Sequence, residues 1–227
     1  MHLLIIALVV IAVVIGPGLW VGAVMKRYHF PRDRYPRTGG ETARALLDAE
    51  GLHHVLTEKT ETGDHYDPTA KAVRLSPENF DGRSLTALTV AAHEVGHAIQ
   101  DAAGFRPLHL RTRLVSWASP IQRVGAGMLV IAPFVAMLTR VSSIGILTLL
   151  AGLATLGIGI VVHALTLPTE FDASFARAMP LLRKHSVLRR EDMPRAHQLL
   201  LAAALTYVAA ALQSLLNIAR WWAILRR

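Results

Sequence analysis

The densest chemistry in the sequence lies in five consecutive residues, His93-Glu94-Val95-Gly96-His97. Residues four apart on an α-helix share one face, so both imidazoles can converge on a single ion while Glu94, beside the first, reaches a water there. That is the arrangement of a zinc hydrolase. The bland alternative is a pair of core histidines on a structural helix, and the small residues Ala91, Ala92, Gly96 and Ala98 suit close packing either way. The chain contains no cysteine, which excludes a zinc ribbon, an iron–sulfur site or a thiol nucleophile and leaves histidine and carboxylate to hold any metal. Hydrolytic zinc uses three protein ligands, so one more must come from elsewhere. Glu170, in Leu167-Pro168-Thr169-Glu170-Phe171-Asp172-Ala173-Ser174 just past a long apolar stretch, fits such a position. An acid there also reads as a favourable charge at a helix N-terminus.

The elements that position these residues follow from composition. Of 227 residues 18% are charged, against about 25% in a soluble domain, and mean hydropathy is +0.38, with the apolar residues gathered in blocks. An ordinary soluble globule is excluded. Leu3 to Met25 carries no charge and is long enough to cross a hydrocarbon core of about 30 Å. Lys26 and Arg27 follow at once, so the run reads as an uncleaved anchor that leaves the following residues in the cytoplasm. Trp117 to Leu138 and Val141 to Leu167, joined by Thr139-Arg140, form a helical hairpin that returns the chain to the side it left, with Arg123 snorkelling. Leu199 to Leu225 reads as a fourth span, or as an interfacial or buried helix. The net charge of +8 does not point to nucleic acid: Thr38 to Arg113 holds eleven acidic residues against eight basic, and the excess flanks the apolar blocks.

Within the polar part, Thr38 and Glu41 have capping-box spacing before a helix over Ala43 to Glu50, with Gly51 as its stop. His65 to Ser76 reads as a hairpin or short sheet around Asp67-Pro68-Thr69. Ser84 caps a helix from Leu85 to about Ala102, which Gly104 and Pro107 end.

Six blocks together carry a resemblance: Glu41-Thr42-Ala43-Arg44, Asp64-His65-Tyr66-Asp67-Pro68, Val73-Arg74-Leu75-Ser76, Ala91 to Gln100, Thr166 to Ser174, and Ala202 to Ala209. In these the chain resembles the YugP-type putative neutral zinc metallopeptidases of bacterial membranes, from about Tyr28 to Leu216. The resemblance implies a gluzincin-type HEXXH membrane protease with Zn2+ on His93 and His97, Glu94 as catalytic base and Glu170 as third ligand. Gluzincins often place a further acid four residues after the ligand glutamate to orient a zinc histidine; here that position is Ser174 and the nearest acid is Asp172.

The expectation is a mainly α membrane protein of about four transmembrane helices with a small α+β zincin-like cytoplasmic domain. Its parts are an anchor (1–25), a metalloprotease domain with the zinc helix (26–116), a membrane hairpin (117–167), a cytoplasmic segment with the third ligand (168–198) and an apolar C-terminal helix (199–227). The activity expected is endopeptidase cleavage at the cytoplasmic face of the bacterial inner membrane. Its partners are the lipid bilayer and a membrane-associated protein or peptide substrate, and no nucleic acid. The Val73 to Ser76 strand could offer substrate an edge. His65 and Tyr66 are candidates to stabilise the oxyanion, Asp172 to support a ligand; Trp221-Trp222 suits an aromatic belt. The rival readings are proteolysis within the membrane, against which the short uncharged run before His93 speaks, and a non-catalytic zinc-binding scaffold or holdase.

Overall fold

The computed structural model describes residues 2–139 and 142–225, without the side chains of 2–11, 129, 132, 133, 136, 139, 142, 145, 156 and 213–225. In chain order its elements are α1 (His2–Arg27), α2 (Gly39–Ala49), β1 (Leu56–Lys59), β2 (His65–Asp67), β3 (Ala72–Leu75), α3 (Pro77–Phe80) and α4 (Leu85–Ala102). There follow α5 (Arg106–Thr139), α6 (Ser142–Phe171), a π-helical turn (Asp172–Ala178), α7 (Met179–Lys184), a 3-10 turn (Arg190–Asp192) and α8 (Met193–Leu225).

Local signals account for the helix ends. Thr38 Oγ1 accepts the Glu41 amide at 3.1 Å while the Thr38 amide donates to Glu41 Oε2 at 2.8 Å, a reciprocal capping box that starts α2. Gly51, at φ +74°, and Gly104, at φ +64°, take the left-handed conformation past the ends of α2 and α4. Ser84 Oγ accepts the Ala87 amide at 3.1 Å and opens α4. Every side chain from Leu85 to Ala98 is buried, so α4 is a core helix, apolar nearly all round.

The sheet order is β1-β3-β2, with β1 parallel and β2 antiparallel to β3. The β2–β3 hairpin matches expectation, and β1 is an addition to it. The order corrects the reading of Val73 to Ser76 as a free edge: both sides of β3 are hydrogen-bonded, and the unpaired edges belong to β1 and β2. Alternation along one strand reports which face is buried, not which neighbours pair with it.

The chain divides into two compact units. One comprises 18–109 and 167–206 and holds α4, the sheet and the π-helical turn; the other comprises 1–17, 110–166 and 207–227. In the second unit Gly125 lies against Thr155, where no Cβ would fit, so α5 and α6 pack closely. There too Arg111 donates to the Tyr207 hydroxyl, and the His163 ring lies 5.9 Å from that of Tyr207. Among the described residues two stretches, Ile146–Lys184 and Arg190–Leu212, are long and apolar enough to cross a membrane. Four were expected. The expected spans Leu3–Met25 and Trp117–Leu138 fall partly on side chains outside the described residues. Arg140 of the hairpin link, Val141, Arg226 and Arg227 lie outside them altogether, as do the side chains of Trp221 and Trp222.

Asp101 joins the sheet to α4. Its Oδ2 accepts from the Tyr66 hydroxyl and from Lys71 Nζ, both at 2.6 Å. Burial alone would raise its carboxyl, but Lys71 and Tyr66 overcome that and hold it below the usual carboxylate range. A carboxyl depressed in the folded state contributes stability above its unfolded value, about 3.9, and loses it as pH falls through the folded value. Thermal unfolding of Asp101→Asn should therefore show lower stability than wild type near neutrality and a shallower decline below about pH 4. Identical profiles would show that Asp101 does not fasten the sheet.

Candidate metal centre

His93 and His97 stand one turn apart on α4 with ring centroids 4.8 Å apart and planes at 81°. Glu170, in the last turn of α6, brings its Oε2 to 3.2 Å from His93 Nε2 and 3.4 Å from His97 Nε2. All three residues are buried, and one ligand atom from each lies within 4.8 Å of the others. Their contact is made within one unit, because the chain leaves that unit after His109 and re-enters it at Leu167.

The protonation of each imidazole follows from the bonds on its other nitrogen. Gln100 Nε2 donates to the Thr169 carbonyl at 2.8 Å and to Asp172 Oδ2 at 2.7 Å, so Gln100 Oε1, 2.9 Å from His97 Nδ1, is an acceptor. His97 Nδ1 must then carry the hydrogen. Ser174 Oγ uses its single proton on the Leu200 carbonyl at 3.1 Å and meets His93 Nδ1 at 3.1 Å with a lone pair. His93 Nδ1 is a donor too. With each ring neutral, both Nε2 atoms are hydrogen-free, and two nitrogen lone pairs converge with a carboxylate oxygen in a buried space. Such a group of acceptors repels itself unless a cation or a proton lies among them. Two neutral imidazoles and one carboxylate, each ligand histidine held through its second nitrogen, form a donor set that suits zinc.

Backbone geometry permits this approach. Gly96 lies where an added Cβ would stand 2.7 Å from the Ala173 carbonyl oxygen and 3.3 Å from Arg177 Cβ. The segment it faces is the π-helical turn, in which the Met179 amide bonds the Ser174 carbonyl five residues back. One extra residue in that turn changes which side chains face α4, and such insertions gather at functional sites. The hydrogen-bond geometry thus gives Ser174, a hydroxyl where gluzincins often have an acid, the contact to His93. Asp172 reaches His97 only through Gln100, and it also accepts from Arg177 Nε at 3.3 Å.

Of the other candidates, Glu94 is buried next to His93. Tyr66 gives its hydroxyl to Asp101, and burial together with that bond pushes its phenol pKa up. His65 Nδ1 lies 2.8 Å from the Gly63 carbonyl oxygen. Neither is brought to the three converging atoms by these bonds. Gln100 was missed as a functional residue. Its position three residues after His97 places it on the same helical face, a signal that was available in the sequence.

A family model described as "putative neutral zinc metallopeptidase" matches residues 3–226. The chain belongs to this family. It is also 38% identical over 194 residues to the "putative membrane protease YugP" of Bacillus subtilis (strain 168), an alignment covering 82% of this chain and 79% of that one. No solved structure matches it significantly.

Two substitutions probe the geometry apart from catalysis. Gln100→Ala leaves His97 Nδ1 without its acceptor and should weaken zinc binding by about 10- to 100-fold, read by competition with a chelator. Gly96→Ala should push α4 away from the Ala173 carbonyl and lower both zinc affinity and melting temperature. Zinc affinity at the wild-type level in both variants would show that neither contact shapes the centre.

Proposed function

We propose that this chain is a zinc-dependent endopeptidase acting at the cytoplasmic face of a bacterial membrane. The observation that carries this reading is the convergence of two imidazole Nε2 nitrogens and a carboxylate oxygen on one buried point, with Glu94 adjacent in sequence to the first of these histidines. His93, His97 and Glu170 would hold the metal. When bound, zinc supplies Lewis-acid chemistry, polarising the scissile carbonyl and lowering the pKa of water.

The chain's own residues do the rest. Glu94 is the general base: it takes a proton from the attacking water and then gives that proton to the leaving amine, so no covalent intermediate forms. Gln100 and Ser174 keep the Nδ1 hydrogens of His97 and His93 in place, which holds both rings in one tautomer through the cycle. Asp172 and the Thr169 carbonyl fix Gln100 in turn. The family and its membrane-protease relative support both the chemistry and the membrane setting. The apolar stretches Ile146–Lys184 and Arg190–Leu212 support the setting as well. Lys26 and Arg27, directly after the uncharged run, support a cytoplasmic site.

Cleavage of casein or denatured protein by detergent-purified protein tests the activity. Glu94→Gln should keep wild-type zinc content, since the side chain is not a ligand, and lose turnover by at least about 100-fold. Glu170→Ala should lose zinc and activity together. Zinc binding without cleavage of any protein substrate would refute the peptidase reading in favour of a scaffold. Cysteines introduced at residues 60 and 190 should label from the same, cytoplasmic side; labelling from opposite sides would refute the topology.

A further inference from the structure

Away from the metal centre, a cavity of about 230 Å³ is lined by Arg27, Tyr28, Phe30, Arg34, Leu85 and Arg195. Three guanidiniums on so small a space repel one another unless anions compensate them. The carboxylate nearest to hand is already committed. Asp192, fully buried, accepts Arg34 Nε at 2.8 Å and Nη2 at 2.7 Å, Arg195 Nη1 at 2.7 Å and the Tyr35 hydroxyl at 2.5 Å. One negative charge therefore holds two arginines and has no acceptor capacity left. Glu191 Oε1 stands 3.5 Å from Arg34 Nη2, but it is 66% exposed and screened accordingly. Arg27 lies 5.7 Å above the Tyr28 ring and among the described residues has no carboxylate within ion-pair distance.

The side chains that line the cavity thus keep a positive surplus. Planar guanidiniums match the oxygens of a phosphate group in bidentate pairs, which makes phosphate the anion of best fit. The volume suits a phosphate-sized group rather than a folded peptide, and Tyr28, Phe30 and Leu85 offer apolar wall beside it. Position indicates the source. Arg27 is the last residue of α1, two residues after the end of the uncharged run Leu3 to Met25, which is the depth of lipid phosphates if that run crosses the bilayer.

We propose that this cavity binds the phosphate of an anionic phospholipid headgroup, with Arg27, Arg34 and Arg195 as its ligands and Asp192 as the positioning residue that fixes two of them. This rests on the membrane setting proposed above and not on the peptidase chemistry.

The test uses the full chain in uncharged detergent, titrated with phosphatidylglycerol, phosphatidylcholine or inorganic phosphate, with occupancy read by native mass spectrometry. Phosphatidylglycerol should bind more tightly than phosphatidylcholine. Arg27→Gln and Arg195→Gln should each weaken it about fivefold, while Arg37→Gln, outside this cavity, should leave it unchanged. Arg27→Gln is the decisive variant, because its side chain takes no part in the Asp192 network. Equal affinity for the two lipids, or wild-type affinity in Arg27→Gln, would overturn the proposal. Inorganic phosphate binding as tightly as phosphatidylglycerol would overturn the lipid as its source. Arg27→Gln should still bind zinc and cleave casein in detergent, so a failure here is distinct from a failure of the peptidase reading.

Discussion

Everything else in the unit that holds the candidate metal centre depends on the approach of α4 to the π-helical turn. Gly96 has no Cβ, and the Ala173 carbonyl occupies the space one would need. That single missing atom lets two helical segments come close enough for Ser174 to reach His93 and for Gln100 to reach Asp172 and the Thr169 carbonyl. With the Nδ1 atoms engaged, the Nε2 atoms are left bare and turned to Glu170. The candidate metal centre is thus the result of backbone packing, and its electrostatics follow from the hydrogen bonds of four side chains.

The same economy appears at the basic cavity. Asp192 organises Arg34, Arg195 and Tyr35, and burial, together with the hydrogen bond to Asp192 and its charge, pushes the Tyr35 phenol up to about 12. The acid fixes its partners without neutralising them all. In the candidate metal centre, likewise, Gln100 and Ser174 fix His97 and His93 through their Nδ1 atoms. Both sites depend on buried polar groups held by several hydrogen bonds each, which fixes their geometry.

Local signals were legible because they act within a few residues. Thr38 and Glu41 make their capping box, Ser84 caps α4, and Gly51 and Gly104 stop helices at positive φ. The spacing of His93 and His97 on one helical face required only helix geometry. Strand order was not legible: Val73 reads the same in a central strand as at an edge, and β1 announced itself weakly. Nor was the π-helical turn, since its extra residue is selected by what it packs against.

By itself, then, the sequence determined the residue types and short-range spacings: a two-histidine helix with an adjacent glutamate, no thiolate to compete, apolar blocks flanked by arginine, and the ends of α2 and α4. Those are set by forces acting along a few turns of chain. Tertiary structure alone decided that Glu170, 73 residues past His97, meets both imidazoles. It also decided that Ser174 meets His93, that Asp172 reaches His97 only through Gln100, and that Asp192 draws Arg34 and Arg195 to one cavity. The physical reason is shared: each is a contact between segments far apart in sequence, whose distance is set by the packing between them.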